Sequence, residues 1–327
     1  MHKYLMDMLQ CPFCHSNLTW DISNETEERL IEGHALCTQC NATYEIHDGI
    51  GVFLTPELQR NDLWEESNTL FLEHPELVDA LMEHENNDLC ATDRFVKAML
   101  LDEQGNFEEA MPLFKNARAD LYTKDIVKGT ESQLEFLCNY LKNSCDPIVD
   151  IASGRCYLVE ELAKNLDNYI VATDFSPSIL KRDKAALEHL GLYNKVSLLS
   201  FDARLTPFKD ASVKIMTSNL GLANIQDSAN VLNELRRVLE GELLFINHFY
   251  AENDEPNINV LKYFKVDTFA TEKTTKEAFK ASNLDLKIAN ELFAYSTPIS
   301  KGEIIDAAPD ITPIVATNIS LHILKAK

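Results

Sequence analysis

From Pro147 onward, short apolar runs rich in β-branched residues alternate with runs of helical spacing. No other feature restricts the fold as much. "IVDIA", "YIVATD", "VSLLS", "VKIMTS" and "ELLFIN" read as strands, and the stretches around 157–166, 177–190 and 227–240 as helices. Such alternation implies an α/β fold, a parallel sheet with helices on both faces. Ligands of these sheets sit at the carboxyl ends of the strands. Residues 251–283 fit an insertion and a helix, and "DLKIANELFAY" and "TPIVATNISLHILKA" fit a closing pair of strands.

The first strand runs into "IVDIASGRCYL": an acid, small residues, one glycine, a turn and an apolar helical run. That is the outline of a nucleotide-binding strand–loop–helix, and two loops compete for it. A dinucleotide loop needs GxGxxG opening a helix. With Gly154 as its second glycine, Tyr157 falls on the third, where it spoils the close packing of helix on strand. The alternative, acid-x-G-x-G-x-G, is occupied by Asp150, Ala152, Gly154 and Cys156, with two glycines replaced by small residues. Gly154 keeps the position where backbone and ligand approach most closely. Asp174 ends the second strand, 24 residues after Asp150, followed by Phe175. A carboxylate there can accept both hydroxyls of a ribose. Asp202 and Ala203 follow the third strand, ahead of "TPF", and Asn219 follows the fourth in "IMTSNLGLANI". Taken singly, each acid is an ordinary strand-end residue; in register with Gly154 they argue for a cofactor site.

Over roughly residues 120–327 these motifs resemble the class I S-adenosylmethionine (SAM) methyltransferases, and "LNELRRVLEGELLFINHF" resembles that family's helix-to-strand turn. The resemblance implies a Rossmann-like seven-stranded sheet. It places the Gly154 loop at the amino-acid end of SAM, Asp174 at the ribose, Asp202 at the adenine amine, and Asn219 beside the methyl donor. Two positions depart from the family: Lys214 stands where many members have Asp, and the Gly-Gly turn is Glu-Gly-Glu. Methyl transfer from a sulfonium is an in-line displacement, for which the protein mainly supplies alignment and a dry pocket. A base is needed only where the acceptor loses a proton. His248, Tyr250 and Asn219 are the candidates to meet the acceptor, packing at the strand ends being the alternative for the first two. "SNLGL" lacks the (D/N)-P-P-(Y/F) motif of base-amine methylating enzymes.

The N-terminal part carries Cys11, Cys14, Cys37 and Cys40 as two CxxC pairs separated by 22 residues. Two such knuckles can set four thiolates tetrahedrally around one Zn²⁺, a closed shell with no position for substrate. His15 and His34 are then bystanders. "LTW", "HALC" and "YEIHDGIGVFL" read as strands. Residues 1–55 resemble small zinc-ribbon proteins that share the "Y-x-I-x-D-G-I" tail, some of which activate methyltransferases and some of which are fused to them. The resemblance implies a structural zinc. It also implies that the ribbon docks on the methyltransferase domain in the same chain, through Ile50, Val52 and Phe53, against the edge strand "VSLLS".

Residues 56–146 show helical spacing, with Pro56, Pro75 and Pro112 as helix starts or breaks. They are expected to form either a cap over the cofactor or a packed linker between zinc ribbon and methyltransferase domain (147–327). The net charge of −22 argues against nucleic acid, which is held by neutralising phosphates. The chain lacks a run of about 18 apolar residues and a secretory signal pattern. The expectation is a cytoplasmic enzyme with SAM, a structural zinc, a small-molecule acceptor and no membrane partner. An RNA or protein methyltransferase and a non-catalytic SAM-binding module are the alternatives.

Overall fold

The computed structural model describes residues 1–55 and 71–327. The helical reading of the stretch after Pro56 lies largely outside the described residues. After a single turn, α1 (Leu5–Met8), four antiparallel strands follow: β1 (Leu18–Glu25), β2 (Leu30–Cys37), β3 (Thr43–His47) and β4 (Ile50–Val52). β3 and β4 are joined by Asp48-Gly49, both at positive φ (51° and 76°), with His47 paired to Ile50. An Asp-Gly pair meets that demand of a two-residue hairpin at low steric cost.

The helical segment consists of α2 (Pro75–Glu83), α3 (Ala91–Glu103), α4 (Phe107–Leu121) and α5 (Lys124–Leu141). Pro75 opens α2, where its missing N–H costs nothing. Pro112, expected to start or break a helix, instead lies inside α4. The break falls at Gly105, whose φ of 79° is left-handed. Pro112 is tolerated because it sits on the solvent side of α4.

The remaining chain alternates as expected: β5 (Ile148–Asp150), α6 (Tyr157–Asn165), β6 (Ile170–Asp174), α7 (Pro177–His189), β7 (Val196–Ser200), β8 (Val213–Asn219), α8 (Ser228–Val238) and β9 (Leu239–Tyr250). Then come α9 (Glu255–Tyr263), α10 (Glu272–Ala281) and the closing hairpin β10 (Leu286–Ser296) and β11 (Thr317–Ala326). Gly241, the only glycine of the altered turn, is required. A Cβ there would stand 2.2 Å from the Lys214 carbonyl oxygen.

Seven of these strands are ordered β7-β6-β5-β8-β9-β11-β10, the arrangement of the class I methyltransferase fold, and the sheet continues through β7 into β4-β3-β2-β1. The sheet therefore has eleven strands, not seven. β4 pairs parallel to β7, with Ile50 opposite Leu198 and Val52 opposite Ser200, and Phe53 N–H donates to the Ser200 carbonyl at 2.7 Å. The edge that the expected docking required is the edge used. Ile50 joins the core under α6 and α7, and Phe53, 1% exposed, joins the core on the opposite face. Arg29 reinforces the seam. Its guanidinium donates to the Tyr193 and Val196 carbonyls, both at 3.1 Å, and stacks 4.1 Å over the Tyr193 ring.

Candidate functional site

The loop after β5 is held from below by side chains bonded to backbone. Ser153 and Thr173 hydroxyls donate to the Asp150 carbonyl at 3.1 and 2.8 Å, and Ile151 N–H reaches Thr217 O at 2.8 Å. The Asp150 carboxylate is 1% exposed and accepts the Thr217 hydroxyl at 2.6 Å. Burial pushes its pKa up to about 6, against the pull of that hydroxyl. Asp150 thus faces inward and ties β5 to β8.

Ala152, Gly154 and Cys156 all have left-handed backbone, with φ of 53°, 52° and 56°. These are the three glycine positions of the SAM loop. Two of the three carry side chains here, in a backbone conformation that glycine adopts most easily. Each non-glycine residue so placed costs on the order of 1–2 kcal/mol. The loop also packs tightly outward: a Cβ on Gly221 would stand 2.6 Å from the Ala152 carbonyl oxygen.

The Asp174 carboxylate, 6% exposed at the end of β6, accepts Gly154 N–H at 3.2 Å and Ser176 N–H at 3.0 Å. It therefore lies against the loop at Gly154. Phe175 follows at the start of the β6–α7 turn, half-buried, and its carbonyl accepts the Ser200 hydroxyl at 3.2 Å. Asp202 and Ala203 follow β7, both buried. Arg204 grips Asp202 from one side, Nη2 to Oδ2 at 2.6 Å and Nε to Oδ1 at 2.9 Å. Oδ1 also accepts the Arg204 backbone N–H at 2.9 Å, so Oδ2 is the oxygen with a second lone pair for a further donor.

Asn219 ends β8, with Ile246 as its register partner on β9. His248, two residues further, lies 3.4 Å through Nε2 from Gln133 Oε1 on α5. Burial drives the imidazole pKa down to about 4, with the nearby His322 adding to the effect, so His248 is neutral at physiological pH. Tyr250, at the end of β9, packs with Tyr122, Ile126 and Leu321. Tyr122 O–H donates to Asp310 at 2.7 Å, and Arg118 stacks 4.6 Å over the Tyr157 ring. Three side-chain atoms around this end of the sheet, Gln133 Nε2, Asn219 Oδ1 and Tyr157 Oη, are buried without a hydrogen-bond partner among the described residues. A buried polar atom left unpaired costs about 1–3 kcal/mol, so these atoms suit a ligand that supplies the missing partners. A separate cleft of about 460 Å³, lined in part by Arg94, Glu108 and Asn116, contains none of the loop residues.

Sequence spacing brought together the loop, Asp174 and Asp202. It did not point to Gln133, Tyr122, Arg118, Tyr157 or Asp310. These come from helices, from the link between α4 and α5, or from the segment before β11, where periodicity reports at most their packing.

In the N-terminal hairpins, the four cysteine sulfurs lie within 4.8 Å of one another, with Cys11–Cys40 at 3.7 Å and Cys14–Cys37 at 3.3 Å. A tetrahedron with Zn–S bonds of about 2.3 Å has edges of roughly 3.8 Å, so the cluster fits that ion. His15 and Asn41, which follow the second cysteine of each pair, turn the chain with left-handed backbone (φ 58° and 59°). Gln39 and Cys40 N–H both donate to Cys37 Sγ at 3.4 Å.

Comparison with known proteins agrees with this geometry. A family profile described as "Methyltransferase domain" matches residues 149–246. The solved YcgJ protein of Bacillus subtilis superposes with a TM-score of 0.50 at 14% identity, covering 60% of this chain and 97% of that one. The fold is that of a class I methyltransferase. Among curated proteins, the chain is similar to a ubiquinone/menaquinone biosynthesis C-methyltransferase of a Shewanella species. The two are 29% identical over 136 residues, 40% of this chain and 54% of the relative. It is also similar to the demethylmenaquinone methyltransferase of Listeria welshimeri, at 27% identity over 155 residues, 46% of this chain and 62% of the relative. The chain spans about half the length of the first of these relatives. Among the described residues, no helix is long and apolar enough to cross a membrane.

Proposed function

We propose that this chain is a SAM-dependent methyltransferase acting on a small molecule, with a structural Zn²⁺ held by Cys11, Cys14, Cys37 and Cys40. The observation that carries the reading is the loop itself: left-handed backbone at Ala152, Gly154 and Cys156, with the Asp174 carboxylate on Gly154 N–H. Such a conformation is costly in residues other than glycine and is kept where a ligand requires it. The loop would hold the amino-acid end of SAM. Asp174 would accept the ribose hydroxyls, with Phe175 beside it, and Asp202 with Ala203 would meet the adenine.

When bound, SAM supplies an electrophilic methyl group on a sulfonium. This chain's residues align the acceptor and exclude water. Asn219 and Gln133 offer an unpaired acceptor and an unpaired donor, respectively. His248 is neutral, and its lowered pKa makes it a weak base, so it would line the acceptor site rather than drive a deprotonation. Tyr250, packed with Tyr122 and Leu321, would belong to the wall of the acceptor site. The curated relatives, a ubiquinone/menaquinone biosynthesis C-methyltransferase and a demethylmenaquinone methyltransferase, support a small acceptor. The net charge of −22 gives no support to nucleic acid.

The test is to incubate the protein with methyl-labelled SAM and a cell extract split into small-molecule, RNA and protein fractions. Label in the small-molecule fraction is the expected result. Label only in RNA or protein would replace the reading with a macromolecular methyltransferase. SAM binding without label in any fraction would leave a non-catalytic binding module.

A further inference from the structure

The cofactor loop is strained at Ala152 and Cys156, and something must hold it in place. The structure puts a buried charged network against it. Arg155, between the two strained positions' flanks, reaches Asp102 at the end of α3 at 2.7 Å, with both side chains about one-tenth exposed. Arg182 on α7 lies 3.4 Å from the same Asp102 oxygen and 2.5 Å from Asp183. Asp183 in turn accepts Cys156 Sγ–H at 3.4 Å and is 2% exposed. The Phe114 ring of α4 covers the Arg155 guanidinium at 5.0 Å. The helical segment is thus joined to the two sides of the loop by buried ions. Removing one member of such a set leaves its partner charged and buried, which is strongly unfavourable.

We propose that Asp102 and Arg155 are positioning residues for the cofactor loop, doing for this chain what glycines do in a loop of the acid-x-G-x-G-x-G type. The helical segment is then a required part of the cofactor site rather than a spacer. This rests on the functional reading above. A loop of this kind has a binding-competent shape that is populated only as far as its restraints favour it. Apparent affinity falls in proportion to the fraction in that shape. Ionic contacts hold that fraction near one in the native chain. Glycine at position 152 would raise the same fraction by another route, since it adopts φ of 53° without a Cβ penalty.

The experiment measures S-adenosylhomocysteine affinity by calorimetry, well below the unfolding temperature, in the full chain. The variants are Asp102→Asn, Ala152→Gly and the two combined. Hydrogen exchange at the loop amides is followed in parallel without cofactor. Asp102→Asn is expected to weaken binding roughly tenfold or more and to speed exchange at residues 153–156. Introduced into the Asp102→Asn variant, Ala152→Gly should raise its affinity severalfold. If Asp102→Asn does not fold, the doubly neutral Asp102→Leu/Arg155→Met chain replaces it, because no unpaired ion remains. Native affinity and exchange in the network variants overturn the inference. So does weakened binding that glycine fails to recover, since Asp102 would then serve general stability. A native chain that shows slow loop exchange but binds no S-adenosylhomocysteine overturns the functional reading, and the inference with it.

Discussion

Replacing Asp174 by Ala tests the proposed cofactor site. The carboxylate accepts Gly154 N–H at 3.2 Å and Ser176 N–H at 3.0 Å, and it would also take the ribose hydroxyls. Hydrogen bonds to a charged group contribute about 1.5–3 kcal/mol each. In the free protein, Ser176 N–H lies at the start of α7, so loss of its acceptor costs stability. Loss at Gly154 loosens the loop. In the complex, the ribose loses its charged acceptor, which by itself weakens binding about ten- to a hundredfold. The free-protein loss appears as a lower melting temperature, and the complex-specific loss as a higher dissociation constant, so the two are separable. The assay is calorimetric titration of SAM at a temperature where both proteins are fully folded, alongside a melting curve. A variant with lowered melting temperature but unchanged SAM affinity would refute the ribose assignment, since Asp174 would then only brace the loop.

Three further outcomes are expected. The Cys37→Ser/Cys40→Ser chain should lose the metal that metal analysis finds at about one Zn²⁺ per native chain, because two thiolates do not complete the shell; unchanged zinc would place the ion elsewhere. Phe53→Ala should cost about 3–5 kcal/mol, since the ring is 1% exposed and stacks on Tyr44 at 5.4 Å, and thermal unfolding should stay a single transition, the N-terminal hairpins and the rest of the sheet sharing one core; a separate early transition of the hairpins would show independent units. Asp150 has a pKa raised to about 6 from an ordinary value near 3.8, so its contribution to stability is present below pH 4 and is lost as pH rises through 6. Relative to Asp150→Asn, the native chain should lose about 2 kcal/mol between pH 4 and pH 7, read by urea denaturation at each pH; parallel pH profiles would mean that the carboxylate is not buried as described.

Much of the fold was legible because its signals are local. Strand and helix runs from Ile148 onward carry their own periodicity, and the two CxxC pairs bring a ligand set of known geometry. The order of Gly154, Asp174 and Asp202 follows from the rule that parallel strands put their ends on one side. The pairing of "GIGVFL" with "VSLLS" was also open to sequence reasoning, because an unpaired edge strand and an apolar orphan strand each need a partner.

What only the tertiary structure decided lies where backbone conformation and distant contacts meet. Residue type could not say that Ala152 and Cys156 keep the left-handed backbone of glycine. That conformation is unfavourable locally and is sustained by Asp102 and Asp183, far off in the chain. Nor could periodicity show that Pro112 continues a helix while Gly105 ends one. Gln133 and Tyr122 read as ordinary helical residues, and Asp310 as a loop acid. Their common address near the ends of β8 and β9 exists only once α5 crosses the sheet and the segment before β11 folds back. The free energy that puts them there comes from burial of apolar side chains across the whole domain, and no short window of sequence contains it.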